Sequence, residues 1–270
     1  MLVGLDPLLA HLPAWLLVLF RISGIFLIGP FFGSSLIPNR VKIFLALGLS
    51  FCVYPMLLGS AIEGVAHQSI LQVSAHGLSL WGLAGMVTSE LLIGLVIGFG
   101  AALPLFGIQI GGQIIDQQLG LGLAGIYNPD IDADSGILSQ FYFLTALALF
   151  LILNGHRALL GVMVGSFHHV PLGGYTADSQ MISLVLGLMQ SMFELAIGVA
   201  APLLCLVFLE TVAMGFIART VPQLNVMSVG FSLRIIVGLF VVIGGIGGVM
   251  IVFQDALMLA IRSLSIHFGG

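Results

Sequence analysis

LLIGLVIGFGAALPLFGIQIGGQII, Leu91–Ile115, contains no charged side chain and is longer than the ~20 residues that carry a helix across a bilayer. Working outward, Ile22–Asn39, Ile43–Ile62, Ser135–His156 and Ile235–Gln254 are also uncharged and close to that length. Hydrophobic residues make up 59% of the 270 and charged residues 7%; the mean hydropathy is +1.21. A soluble domain carries about 25% charged residues, so an ordinary globular core is excluded and the chain reads as an integral membrane protein. The runs are continuous, unlike the alternating ~10-residue segments of an outer-membrane barrel, so the fold class is all-α.

The composition excludes other classes. A net charge of −4 with only seven Lys and Arg leaves no basic cluster for nucleic acid. Met1–Pro13 has no basic residue ahead of its apolar run, so the first segment is expected to remain as a membrane helix. Cys52 and Cys205 lie in apolar runs, where cysteine acts as a small hydrophobe, and no disulfide is expected.

Helices are expected near Leu8–Pro30, Ile37–Leu58, Ser69–Ile115 (as a broken pair), Ile137–Leu153, Arg157–Phe167, Met181–Ala218 and Gly230–Ser265. They form about six long, broken apolar elements in a single domain over residues 1–270, since no linker or composition shift divides it. Ser34-Ser35-Leu36-Ile37-Pro38-Asn39, Pro171-Leu172-Gly173-Gly174 and the acidic stretch Asn128–Asp134 read as turns or loops. Arg40 and Lys42 mark one short loop, and Arg219 with Arg234 brackets another. The positive-inside rule assigns both to the cytoplasm, which with six spans leaves both termini outside. Glu90-Leu-Leu-Ile-Gly94 and Glu194-Leu-Ala-Ile-Gly198 echo one another, as an internal repeat would.

Three patterns carry functional weight. The first is glycine, 36 residues of it, with small-xxx-small pairs at Gly94/Gly98, Gly107/Gly111 and Gly244/Gly248. Such faces let helix backbones approach closely, either within a polytopic chain or against neighbouring subunits. The second is Phe106–Gly122, where Phe106, Gly107, Gly111, Gly112, Gln113, Asp116, Gln117, Gly120 and Gly122 follow Pro104. Interior glycine costs a helix roughly 1 kcal/mol relative to alanine, so the stretch reads as a break: a hinge, or a flexible constriction in a conduit. The third is the turn Arg219-Thr-Val-Pro222-Gln223-Leu-Asn225-Val226, whose donors and acceptors lipid cannot satisfy. It reads as an assembly or conduit element.

The acidic residues Glu90, Asp116, Glu194, Glu210 and Asp255 stand in apolar context. A proton relay is one reading. Pairing with Arg21, Arg219 or Arg234, or helix capping, is the other. No His-Glu-x-x-His, Gly-x-Gly-Asp or Gly-x-Ser-x-Gly motif occurs, so enzymatic hydrolysis has no support and no metal or cofactor is expected.

In order along the chain stand Ile37-Pro38-Asn39-Arg40-Val41-Lys42, Glu90 with Gly94, Gly98 and Phe99, Gly111-Gly112 with Asp116 and Gly120, and Asn128-Pro129. Asn154-Gly155-His156, Phe167 with Pro171-Leu172-Gly173, and Pro222-Gln223-Leu224-Asn225-Val226 with Gly230-Phe231 complete the series. From Leu8 to Ser265 the chain thereby resembles the FliR family of flagellar export-gate proteins, itself similar to the T component of virulence-type injectisomes. Val229-Gly230-Phe231 leans to the flagellar side, Asn39 stands where the family often has a basic residue, and Gly59–Gly77 matches no family motif.

The resemblance implies one subunit of a helical export gate in the bacterial inner membrane at the flagellar basal body, partly raised toward the periplasm. It implies partners: the P and Q components FliP and FliQ, FlhA- and FlhB-like components, membrane lipid, and unfolded flagellar subunits as cargo. A P-like N-terminal part and a Q-like C-terminal hairpin are implied as well. By position, Phe106–Gly122 matches the family's pore plug. Gly94, Gly98, Glu90, Pro38 and Arg40 are expected at subunit contacts, and Arg219, Pro222, Gln223 and Asn225 at a docking turn. The competing class is a proton-coupled small-solute transporter.

Overall fold

The computed structural model describes residues 6–34, 37–59, 80–121, 136–174, 179–221, 223 and 226–268. Among them are seven α-helices and no strand: α1 Asp6–Ile28, α2 Asn39–Gly59, α3 Leu80–Leu119, α4 Ile137–Ile152, α5 Gly155–His169, α6 Ser179–Thr220 and α7 Val226–Phe268. Five are long and apolar enough to cross a membrane, six if α4 and α5 together make one broken span. The protein is thus an all-α membrane protein. The acidic stretch Asn128–Asp134, Gly122 and the segment 60–79 lie outside the described residues.

Several interior prolines are tolerated: Pro13 in α1, Pro55 in α2, Pro104 in α3 and Pro202 in α6. In apolar surroundings neighbouring helices hold the backbone where the proline removes a donor. One expectation is corrected here. The break foreseen within 69–115 is absent from the described part, because α3 runs unbroken from Leu80 through Pro104 and the glycines to Leu119.

The chain divides into two compact units. The first comprises Met1–Leu103, Asn154–Leu188 and Met258–Gly270; the second comprises Pro104–Leu153 and Met189–Leu257. In the first, α1 packs on α2 and on the N-terminal half of α3. Leu17, Val18, Arg21 and Ile25 form the buried stripe of α1, at helical spacing. His11 Nδ1 hydrogen-bonds the Tyr54 hydroxyl at 2.9 Å, and Trp15 meets Phe51 with ring centroids 5.4 Å apart, so both link α1 to α2. In the second unit, the C-terminal half of α3 packs against α4 and α6.

Helix ends follow local chemistry. Gly120 adopts φ +72°, Leu121 N–H donates to the Asp116 carbonyl at 3.0 Å and Gly120 N–H to that of Gln117 at 3.2 Å. Together these form a Schellman motif that stops α3. Between α4 and α5, Asn154 sits at φ 57°, a left-handed position that asparagine tolerates better than most residues. Asn154-Gly155-His156 is therefore a helix-to-helix joint.

Candidate functional site

Arg21 and Glu90 form an ion pair with both side chains at 0% exposure. They come from α1 and α3, brought together because the helices touch backbone to backbone. A Cβ placed on Gly24 would lie 2.6 Å from the Gly94 carbonyl carbon, and one on Gly98 would lie 3.2 Å from Gly29 N. One on Gly94 would overlap the Arg21 carbonyl oxygen. At Gly24 and Gly94 this seam admits only glycine.

Around the pair, residues 166–173 supply further polar partners. Arg21 Nη1 donates to the Ser166 carbonyl at 3.1 Å, and Nη2 to the Val170 carbonyl at 3.3 Å. Its guanidinium carbon stands 4.5 Å from the centroid of the Phe167 ring. Gly173 N–H donates to the other Glu90 oxygen at 2.8 Å, at φ +71°. The residues of the Phe167–Gly173 motif thus converge on the Arg21–Glu90 pair. Their order along the chain carried no sign of it, although Phe167 and Gly173 were already singled out by spacing.

Gly94, Gly98 and Glu90, expected at subunit contacts, face α1 of the same chain. Pro38 and Arg40 are exposed at the start of α2.

In Phe106–Gly122 the same physics recurs. A Cβ on Gly107 would lie 2.8 Å from the Met192 carbonyl oxygen, one on Gly111 2.9 Å from Val199 Cβ, and one on Gly112 2.6 Å from Ser139 Cα. Close approach to α6 and α4 offsets the weak helix propensity of glycine, which is why no break forms before Leu119. Phe106 and Gln113 are half-buried on this helix. Asp116 is buried, and its carboxylate accepts from the backbone N–H of Leu138 at 3.1 Å and of Ser139 at 2.8 Å. It therefore caps the N-terminus of α4 from a neighbouring helix, where Gly136 makes no side-chain cap of its own. Gln117 is exposed on the last turn.

Near the end of α6, Glu210 accepts from Arg234 Nε at 2.8 Å, and Arg234 Nη2 donates to Thr211 Oγ1 at 3.2 Å. The pairing expected of the acidic residues is present for Glu90 and Glu210, and the capping for Asp116. Glu194 is exposed and accepts from Gln190 at 2.8 Å. The echo of Glu90–Gly94 in Glu194–Gly198 ends at the sequence, because Gly198 has open space where Gly94 has a helix backbone. Arg219 and Gln223 are exposed, whereas Pro222 and Asn225 lie outside the described residues. Cys52 and Cys205 are free and exposed.

The family model for bacterial export proteins, family 1, matches residues 12–260. The flagellar biosynthetic protein FliR of Bacillus subtilis (strain 168) is 30% identical over 255 residues, covering 93% of each chain. FliR of Escherichia coli (strain K12) is 27% identical over 82% of this chain and 79% of its own. FliR of Caulobacter vibrioides is 25% identical over 88% of this chain and 90% of its own. The chain belongs to the bacterial export proteins of family 1, together with these FliR proteins.

Proposed function

We propose that this chain is a channel subunit of the flagellar type III export gate in the bacterial inner membrane at the basal body. It assembles with P and Q components, meets FlhA- and FlhB-like components, and passes unfolded flagellar subunits. The observation that carries this reading is uncovered apolar helix length. α6 and α7 have 42 and 43 residues. At 1.5 Å per residue each is about 60 Å long, roughly twice the hydrocarbon core. Yet only 11% of an 18-residue apolar window within Val229–Phe268 is buried, against 67% for the window within Trp81–Leu119. Lipid covers at most about half of such a helix standing upright, so the remainder calls for partner helices.

Within this reading the constriction belongs to the end of α3, where Gln117 is exposed and Gly120 turns the chain. Phe106–Asp116 then serves as its packed base. The exposed Arg219 and Gln223 belong to the docking turn. A proton relay draws no support from Glu90, Asp116 or Glu210, whose carboxylates are engaged by Arg21, the α4 amides and Arg234.

Co-expression with the P and Q components, followed by native mass measurement in mild detergent, tests the proposal. The expected result is one stable complex containing all three. A monodisperse chain that captures neither component would sink it.

A further inference from the structure

The start of α2 carries charge that the helix itself disfavours. Arg40 and Lys42 occupy its first turns, no acidic residue stands there, and a helix N-terminus is already the positive end of the macrodipole. Among the described residues the two ion pairs lie elsewhere, and Arg40 is exposed with no partner. Lys42 Nζ donates to the Gly33 carbonyl at 2.9 Å, and an ammonium has two further hydrogens to give. This end of the helix lacks an anion.

Directly beside it is a cavity of about 570 Å³ between α1, α2 and Leu91 of α3. Leu19, Phe26, Ile43 and Leu47 line it, and Asn39 and Lys42 form its polar rim. Leu27 and Ile43, which both line it, are each 59% exposed. The cavity is of the size that takes small ligands. One end favours negative charge and the rest favours hydrocarbon.

We propose that this groove is a binding site for an anionic phospholipid, with the phosphate on Lys42 at the rim, Arg40 just outside it adding charge, and an acyl chain between α1 and α2. Basic pockets between membrane helices hold anionic headgroups in this way. The site belongs to this chain's own α1–α2 groove and stands independently of the export-gate reading.

Native mass measurement of the full-length chain, titrated with dioleoyl phosphatidylglycerol or dioleoyl phosphatidylcholine, tests it. Phosphatidylglycerol is expected to be retained about tenfold better or more. Arg40→Gln with Lys42→Gln should reduce it to the phosphatidylcholine level, while Arg40→Lys with Lys42→Arg keeps the preference. Arg262→Gln, an exposed basic position elsewhere, should change nothing. Ala46→Phe, which fills the groove, should remove retention of both lipids. Equal retention of the two lipids by the unaltered chain overturns the proposal, as does a preference that survives the double glutamine change. Displacement by soluble glycerol phosphate at equal concentration also overturns it, since the acyl groove would then add nothing. A photoactivatable residue at Ile43 in cells gives a readout that does not depend on the groove-filling variant. Crosslinks to lipid are expected, and crosslinks to protein alone count against the site.

Discussion

Arg21 and Glu90 are 69 residues apart and share a site with no exposed surface. Desolvating two charges is expensive, and the pair is stable only because Ser166, Val170, Phe167 and Gly173 engage the directions left over. Removing one partner strands the other in a dry site. Arg21→Met or Glu90→Leu alone is expected to lower stability by about 3–5 kcal/mol. Arg21→Met with Glu90→Leu should recover part of that loss, though the Val170 carbonyl and the Gly173 N–H then go unpaired. Thermal unfolding of the three variants in one detergent measures the cycle, and a double variant no better than either single one would refute the coupling. The set of candidate arginines was readable beforehand. Which arginine met which carboxylate was not, because it depends on how α1 crosses α3.

At the scale of the helix, glycine pairs with the same spacing have opposite environments. Gly94 and Gly98 are pressed against Gly24, Ile25 and Gly29, whereas Gly244 and Gly248 have nothing within 4 Å. Gly94→Leu is therefore expected to destabilise the chain itself by at least the ~1–3 kcal/mol typical of overpacking. Gly244→Leu should leave its melting temperature unchanged but reduce the yield of complex with partner subunits, if those subunits use the open face. Thermal stability and co-purification yield, measured on both variants, separate the two cases. A Gly94→Leu chain as stable as the parent would show that the α1–α3 seam is looser than described. Spacing identifies a face on which backbones can approach; it carries no information on whether the approaching backbone is in the same chain.

For the whole molecule, the issue is what covers the apolar surface left over. Phe208, Phe216 and Phe240 are 68%, 70% and 73% exposed on α6 and α7. Such surface is satisfied by lipid or by other subunits, and the polar end of the α6–α7 hairpin is where a soluble-facing component has donors and acceptors to meet. A photocrosslinker at position 223 is expected to capture a protein component in the assembled apparatus. Changing Gln223 and Asn225 to Leu and Val should keep the chain in the membrane and lose that crosslinked component. Capture of lipid alone from position 223 would reduce the turn to a structural cap.

The membrane class, the helical fold and the approximate helix positions followed from the sequence by itself, because long uncharged runs leave backbone groups no partner in lipid except their own helix. The membership suggested by Asn154-Gly155-His156 and Pro222-Gln223-Leu224-Asn225 was legible there too. Only tertiary structure decided that α3 is continuous through Pro104, that Gly107, Gly111 and Gly112 are packing positions and that Asp116 caps α4. Local propensity counts each interior glycine against a helix by roughly 1 kcal/mol. The offsetting contacts come from Ser139, Met192 and Val199, residues far along the chain that reach α3 only once the helices have packed.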